Sequence, residues 1–341
     1  MPKIVKVTLV SVIILIGLSF GIFYSGINIF AKKLNQSPEN ITNFIKQITQ
    51  SNPYQNQDKI NFMVLGLDKR DDSLEKTETT DTIIFASLDR KDNKINLISI
   101  PRDLWFYDIN AKVNEVYPLS LKESDKISFI KDKFQKLTGQ KIDHVLVLTT
   151  DNLIHFVNLI GGVDVTLEKG FVDKQYPNPD YIKNPTSGAP IYKTVEFKAG
   201  QIHLDQSNIT EFVRSRHGGE TAAQSGTDLA RIQRQQLVIQ AILDKIKSGT
   251  FINDPAQIIS LYRFWNENIT KDISDTQIFQ IITSIGENLS KISLNKIEIK
   301  VGTSAKDGLI YHPTTFINKQ WVFIPADKEY KSFQQFFSDS I

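Results

Sequence analysis

Arginine is scarce in this sequence, and its positions suggest a site for an oxyanion. The chain has 8 Arg against 32 Lys. Five of the eight lie in three short segments: Arg102 in SIPRD, Arg214 and Arg216 in FVRSR, and Arg231 and Arg234 in DLARIQRQQ. The planar guanidinium binds phosphate or carboxylate with two parallel hydrogen bonds, whereas lysine acts as a point charge. This usage favours a phosphate- or carboxylate-binding pocket; scattered structural ion pairs are the alternative.

The spacing of one segment strengthens the pocket hypothesis. On a helix predicted over 228–247, Asp228, Arg231 and Gln235 stand at i, i+3 and i+7 and therefore share one face. Arg214 and Arg216 share a side only if the chain is extended there, because side chains alternate along a strand. The Gly-Gly pair at 218–219 permits such an extended exit.

Two aspartates flank neighbouring predicted strands. Asp68 follows a strand end in GLDKR, and Asp81 opens the next strand in TTDT. Mg²⁺ is commonly held by one or two carboxylates together with water and substrate phosphate. The two residues therefore predict a Mg²⁺ site; turn caps are the alternative, because aspartate is common beside strands.

Composition excludes several classes of protein. A net charge of +2 over 341 residues argues against a nucleic-acid partner, and the absence of cysteine excludes disulfides and thiolate metal sites. The sequence holds no HExxH, GxSxG, Walker or GxGxxG motif, so hydrolase triads, P-loop NTPases and dinucleotide enzymes have little support. The five histidines are isolated: His144, His155, His203, His217 and His312.

An uncharged stretch over residues 7–31 lies between Lys3 and Lys6 on one side and Lys32 and Lys33 on the other. Twenty-five residues at about 1.5 Å each cross a hydrocarbon core of about 30 Å. The only weak signal-peptide cleavage site ends at Ala31 with Ile29 where a small residue is needed, which favours an uncleaved anchor. We expect a cytoplasmic tail (1–6), a transmembrane anchor (7–31) and a stalk (32–58), with the rest extracytoplasmic.

Strands and helices alternate through the remaining chain, which predicts an α/β fold with a mixed central β-sheet flanked by helices. We expect a core over 59–250 and a C-terminal part, 251–341, that completes the same domain. The segment 171–192 contains four prolines and is expected to be mostly loop. Predicted strands cover 59–67, 82–88, 95–100, 145–148, 163–167, 292–301 and 321–324, with 82–100 as a hairpin. Predicted helices cover 38–49, 125–137, 152–159, 204–211, 228–247, 254–267, 275–289 and 328–337.

Together these segments resemble the LytR–CpsA–Psr (LCP) family of membrane-anchored cell-wall glycopolymer phosphotransferases. The resemblance covers about residues 60–245. It rests on these stretches in order: VLGLDKR (64–70), DTIIFASLDRKDNKINLISIPRD (81–103), VNEVY (113–117), KIDHVLVLTTDNLIHFVNLIGGVDV (141–165), FVRSR (212–216) and DLARIQRQQLVIQAI (228–242).

The resemblance implies an LCP-like fold and an enzyme that transfers a glycopolymer, through its sugar phosphate, from a polyprenyl-pyrophosphate carrier to peptidoglycan. It implies that an apolar cavity under the sheet takes the lipid. In such a transfer an acceptor hydroxyl attacks the phosphorus that bears the glycan, and Asp81 is a candidate to receive its proton. The implied Mg²⁺ ligands are Asp68 and Asp81. The implied pyrophosphate-binding residues are Arg102, Arg214, Arg216 and Arg231, with Asp228 and Gln235 beside them. The implied catalytic residues are Asp81, Arg102 and Arg231.

Two departures from the family pattern stand out. Thr79 occupies the position where the family usually has an arginine, and Arg70 or Lys76 could replace it. The loop over 217–227 is longer than expected. The hypotheses are therefore a Mg²⁺-dependent phosphotransferase at the cell membrane, a polyprenyl-pyrophosphate pyrophosphatase that uses water as acceptor, and a non-catalytic lipid-pyrophosphate-binding envelope regulator.

Overall fold

The computed structural model describes residues 52–67, 79–215, 234, 237–242, 244–245, 248, 255–285 and 291–341. The strands, in chain order, are β1 (Lys59–Leu67), β2 (Thr80–Asp89), β3 (Lys94–Ser99), β4 (Trp105–Phe106), β5 (Ala111–Lys112), β6 (His144–Thr149), β7 (Val163–Leu167), β8 (Phe171–Pro177), β9 (Tyr192–Phe197), β10 (Gly200–Leu204), β11 (Thr270–Lys271), β12 (Ser293–Ile297), β13 (Val301–Gly302), β14 (Ile310–Tyr311) and β15 (Ile324–Pro325). The helices are α1 (Val116–Ser120), α2 (Lys126–Thr138), α3 (Thr150–Leu159), α4 (Pro179–Lys183), α5 (Ile209–Arg214), α6 (Pro255–Asn268), α7 (Asp275–Ile285) and α8 (Lys331–Ser340).

A mixed central sheet organises the fold, with strand order β11-β6-β1-β2-β3-β12. β1 pairs in parallel with β6, and β3 pairs in parallel with β12, while β2 runs antiparallel between β1 and β3. The carboxyl ends of β1, β3, β6 and β12 therefore lie at one edge of the sheet, beside the start of β2. In open α/β sheets this edge is where ligands commonly bind.

Side chains alternate between the two faces of the sheet along each strand, so they contribute to two separate apolar layers. In β1, Phe62 and Val64 belong to the layer packed by α3, α5, α6 and α7, whereas Met63 and Leu65 belong to the layer packed by α2 and α8. β12, with the partly buried Leu294, and α8 come from the C-terminal part, and both pack onto this sheet.

Most predicted elements are present. β1 and β7 have the predicted bounds, and the predicted hairpin over 82–100 forms between β2 and β3. α2 begins after Asp125, which accepts from the backbone N–H of Ser128, and ends at Gly139 with φ 68°. Such a left-handed residue is a common helix C-cap. All described residues between 234 and 248 are helical, as predicted for 228–247.

Four predictions of local structure were wrong. The strand predicted over 321–324 is absent, because β15 spans only Ile324–Pro325. Residues 171–192 are not mostly loop, because β8 pairs with β9 and buries Phe171 and Tyr176. Residues 204–211 do not begin as a helix, because Leu204 ends β10, paired with β7, and α5 starts only at Ile209. Residues 292–301 form two short strands, since β12 ends at Ile297 and Val301 pairs with Ile310 instead.

The predicted anchor, stalk helix 38–49 and tail lie outside the described residues. Within the part of the chain that the structure describes, no helix combines the length and apolarity needed to cross a membrane.

Candidate functional site

An arginine and an aspartate meet at the carboxyl edge of the sheet. The guanidinium Nη1 of Arg102 donates to Oδ1 of Asp81 over 2.6 Å. Both side chains are only partly exposed, 36% for Arg102 and 20% for Asp81. The strand register explains the contact: Asp89 pairs with Lys94 and Ile84 with Ser99, so the same register continued past β3 brings position 102 opposite position 81.

A second carboxylate holds the other side of this guanidinium. Asp103 Oδ2 lies 3.5 Å from Arg102 Nε, and Lys112 Nζ lies 2.6 Å from Asp103 Oδ1. Lys112 ends β5, where it pairs with Trp105 of β4. Arg102 is therefore placed between two carboxylates, one of which is neutralised by a lysine.

The segment after β5 is hydrogen-bonded to both sides of the site. The backbone N–H of Asn114 donates to the carbonyl of Arg102 over 3.3 Å, and Thr80 Oγ1 donates to the carbonyl of Asn114 over 3.2 Å. The Asn114 side chain is buried, and its Oδ1 has no hydrogen-bond donor among the residues described. The backbone of Asn114 therefore links the Arg102 segment to the start of β2.

Arg214 stands at the end of α5, the helix that packs into the apolar layer shared with α3, α6 and α7. It is the last residue of the helix, partly buried, and it follows Phe212 and Val213, which are both in the core. Ser215 takes extended backbone angles (φ −56°, ψ 134°), so the extended chain begins one residue after Arg214. An arginine at a helix C-terminus is stabilised there by the helix dipole.

Arg234, the second arginine of the segment DLARIQRQQ, is bound by the protein's own backbone and side chains. Its side chain is 3% exposed, its Nε donates to the carbonyl of Phe212 over 2.9 Å, and its Nη2 donates to the carbonyl of Ser215. The guanidinium also stacks on the Phe171 ring at 4.1 Å. Arg234 thus fixes the backbone on both sides of Arg214.

The remaining predicted site residues lie outside the described residues: Asp68, Arg216, Asp228, Arg231 and Gln235, together with Arg70 and Lys76. Thr79 is described and is partly exposed. Sequence reasoning missed Asp103, Lys112 and Asn114 as site residues. The signal was present, since Asp103 completes SIPRD and Asn114 lies in the VNEVY stretch.

Asp81 has the chemistry expected of a Mg²⁺ ligand. Its carboxylate supplies hard oxygen donors and its side chain is 20% exposed, while Arg102 engages only Oδ1 in a direct hydrogen bond. Leu67, which precedes Asp68, pairs with Thr80, which precedes Asp81. Within the described ranges no group of three or more His, Cys, Asp or Glu side chains is placed to hold a metal. A single carboxylate fits Mg²⁺ only if Asp68, water or a phosphate completes the ligand set.

The protein thus has an α/β fold whose central sheet carries, at its carboxyl edge, an arginine between two carboxylates. The chain belongs to the LytR_cpsA_psr family, whose model matches residues 24–335. This confirms the resemblance seen in the sequence.

Named relatives agree with a transferase class. A "polyisoprenyl-teichoic acid--peptidoglycan teichoic acid transferase TagU" of Oceanobacillus iheyensis is 24% identical over 287 residues, covering 81% of this chain and 74% of the relative. Among solved structures, that of Bacillus subtilis TagV has a TM-score of 0.55 at 18% identity, covering 83% of this chain and 97% of its own. One described as TagT bound to LIIa-WTA has a TM-score of 0.53 at 19% identity, covering 84% and 92%. These structures share the mixed α/β fold.

Proposed function

We propose that this protein is a membrane-anchored, Mg²⁺-dependent phosphotransferase. It moves a glycopolymer phosphate from a polyprenyl-pyrophosphate carrier to peptidoglycan during cell envelope assembly. The proposal combines the family of the chain and the names of its relatives with one observation, the hydrogen-bonded pair Arg102–Asp81 at the carboxyl edge of the sheet.

The placement of Arg102 supports a role in phosphate binding. Its Nη1 is held by Asp81 and its Nε lies near Asp103, so the plane of the guanidinium is fixed before substrate arrives. Preorganised donors stabilise developing charge without reorganisation during the reaction. Phosphoryl transfer depends mainly on such positioning and charge neutralisation. Arg214, Arg216 and Arg231 are proposed as further pyrophosphate ligands, with Asp228 and Gln235 beside them.

The bond changes in the proposed reaction are simple. The oxygen of an acceptor hydroxyl attacks the phosphorus that carries the glycan, and a new P–O bond forms. The bond from this phosphorus to the bridging oxygen breaks, and the carrier leaves as lipid phosphate. The hydroxyl proton passes to Asp81, whose carboxylate lies beside the Arg102 that binds the phosphate.

Asp81 and Asp68 are the proposed Mg²⁺ ligands. When bound, the ion supplies neutralisation of the pyrophosphate charge. The chain holds the Asp81 carboxylate next to Arg102, the proposed phosphate ligand. A cation bound at Asp81 would therefore lie close to the phosphate bound at Arg102.

Residues 7–31 are proposed as the membrane anchor, with the N-terminus cytoplasmic and the domain extracytoplasmic. An anchor keeps the site close to a carrier that stays in the bilayer, which raises the effective concentration of substrate. The Phe-rich apolar layer under α5 is the proposed neighbour of the lipid.

The test uses full-length protein in detergent with a polyprenyl-pyrophosphate glycan, Mg²⁺ and soluble peptidoglycan fragments. Appearance of glycan on the fragments, with lipid phosphate as co-product, supports the proposal. Release of phosphorylated glycan without transfer indicates a pyrophosphatase, and binding without turnover indicates a regulator. Either of these outcomes overturns the proposal.

A further inference from the structure

An exposed group of aromatic rings lies next to the candidate site. The aromatic surface consists of His312, Phe316, Trp321 and Phe323. The His312 and Trp321 rings stack with centroids 4.8 Å apart and planes 27° apart, and Phe323 meets Trp321 edge-on at 4.7 Å. Phe316 is 64% exposed and Trp321 43% exposed, so much apolar ring area faces solvent.

The chain holds these rings in place through a tight hairpin. Ile317 bridges Gln320, and the two residues between them, Asn318 and Lys319, have φ of 50° and 62°. Such a turn matches the twist of a hairpin, but glycine usually occupies the second position. His312 Nδ1 donates to the carbonyl of Val322 over 2.8 Å, because a carbonyl can only accept. The stacked pair is therefore oriented before any ligand binds.

The aromatic surface is continuous with the residues that hold Arg102. The backbone N–H of Phe323 donates to the carbonyl of Asp103 over 2.9 Å, and the N–H of Trp105 donates to the carbonyl of Phe323 over 2.7 Å. Phe323 also forms a parallel bridge with Leu104. The strand that carries Trp321 and Phe323 is thus hydrogen-bonded to the residues that directly follow Arg102.

The aromatic surface and α5 lie on opposite faces of the central sheet. Phe323 packs against the apolar layer of α2 and α8, whereas α5, which carries Arg214, packs with the opposite layer. In phosphoryl transfer the attacking and leaving oxygens are roughly in line on opposite sides of the phosphorus. If Arg214 of α5 binds the lipid pyrophosphate, the aromatic surface lies on the side from which the acceptor arrives.

The charge of the segment fits an uncharged ligand. Residues 312–323 contain Lys319 and no acid, so they lack the cluster of cations that a polyanion or an anionic membrane surface would need. A pyranose ring has an apolar face of C–H groups that packs on aromatic rings and a rim of hydroxyls that needs polar partners. Asn318 and Gln320 are exposed beside the rings and can serve that rim.

We propose that the aromatic surface binds a sugar ring of the acceptor, the glycan strand of peptidoglycan, and presents it to the phosphate held at Arg102. This inference rests on the proposed function for the identity of the acceptor, but the binding itself needs no turnover.

The experiment measures binding of full-length protein in detergent to soluble, glycopolymer-free peptidoglycan glycan fragments by calorimetry. Trp321→Ala weakens glycan binding by about tenfold, and Trp321→Tyr retains most of it, since an aromatic ring is restored. Tyr192→Ala is the matched control, because Tyr192 is 53% exposed and lies on β9 away from the hairpin. Affinity for the lipid-linked donor stays unchanged in all three variants. In the transfer assay Trp321→Ala raises the KM for the acceptor and changes no other kinetic constant.

Several results would overturn the inference. These are glycan binding by Trp321→Ala equal to that of the unmodified protein, no glycan binding by the unmodified protein, or a loss in Trp321→Ala of donor or lipid-vesicle binding instead. Failure of the proposed function looks different: glycan binding depends on Trp321 as expected, but no transfer occurs. Thermal unfolding of each variant checks that the loop change leaves the fold intact.

Discussion

Nη1 of Arg102 lies 2.6 Å from Oδ1 of Asp81, and this contact joins the segment after β3 to the start of β2. Arg102→Ala removes the guanidinium proposed to bind phosphate, and we expect transfer to fall by about 10²- to 10³-fold. Arg102→Lys keeps the charge but loses the planar guanidinium with its two parallel donors, so it should recover little activity. Steady-state transfer rates with the lipid-linked donor provide the measurement.

Arg263→Ala is the control for this loss, because Arg263 is exposed on α6 and is not part of the proposed site. Rates of Arg102→Ala that match those of Arg263→Ala would remove Arg102 from the proposed mechanism.

Asp81→Asn tests the proposed cation site without relying on turnover. The amide keeps the shape of the side chain but removes the charge that attracts Mg²⁺, so we expect Mg²⁺ affinity to fall by about tenfold or more. Calorimetric titration of MgCl₂ into full-length protein without substrate measures this. Asp92→Asn, on the exposed turn between β2 and β3, is the matched control. Equal Mg²⁺ affinity in the two variants would argue that Asp81 is not a ligand.

Lys112 positions Arg102 through Asp103, a role that only the structure reveals. Without the ammonium 2.6 Å from Asp103, that carboxylate attracts the Arg102 guanidinium more strongly and draws it from Asp81. Lys112→Met should lower kcat by about tenfold, because small displacements of positioning groups are costly, while donor KM changes little. Lys112→Arg should restore most of the rate. A large rise in KM with kcat unchanged would instead indicate a direct contact with substrate.

The Arg102–Asp81 contact follows from a hairpin that the sequence already indicates. The turn cluster DRKDNK fixes Asp89 opposite Lys94, and from there the register alone leads to the approach of positions 81 and 102. Asp103, Lys112 and Asn114 could not be reached in this way. Their contacts arise where β4 and β5 fold back after the register ends, and two-residue strands leave no periodic signal.

The errors elsewhere have a similar cause. Prolines in 171–192 suggested loop, but Pro177 ends β8 and Pro179 stands in the first turn of α4, positions where proline is tolerated. The strands are held by burial of Phe171, Tyr176, Val195 and Phe197 against the core, which depends on partners distant in sequence. Tertiary burial therefore outweighed the local signal.

Arg234→Ala should destabilise the protein more than it affects binding directly. The buried guanidinium donates to the carbonyls of Phe212 and Ser215 and stacks on Phe171. Its loss leaves both carbonyls without this donor and opens a cavity, so we expect about 3 kcal/mol less stability. Chemical denaturation with an unchanged m-value measures it. Arg234→Lys should also be destabilising, because lysine cannot span both carbonyls. A variant as stable as the unmodified protein would show that the helix end is held by other contacts.

Asp272 gives the protein an acid-sensitive contribution to stability. Burial alone raises the pKa of Asp272, but the His144 ring, the Lys131 ammonium 2.5 Å away and the backbone N–H of Val145 outweigh it and lower the pKa below its usual value. A carboxyl whose pKa is lower in the folded state stabilises the fold above its unfolded pKa of about 4. That stability is lost as the pH falls through the folded value. Asp272→Asn keeps an acceptor for Val145 but loses the charge, so it should lower Tm at neutral pH. The difference from the unmodified protein should then shrink below about pH 4.

Thermal unfolding from pH 7 down to pH 3 measures this trend for Asp272. Asp132→Asn serves as control, because Asp132 is 70% exposed on α2 and exposed ion pairs contribute little. A Tm difference for Asp272→Asn that stays constant across this range would mean that packing of the side chain, and not its charge, carries the contribution.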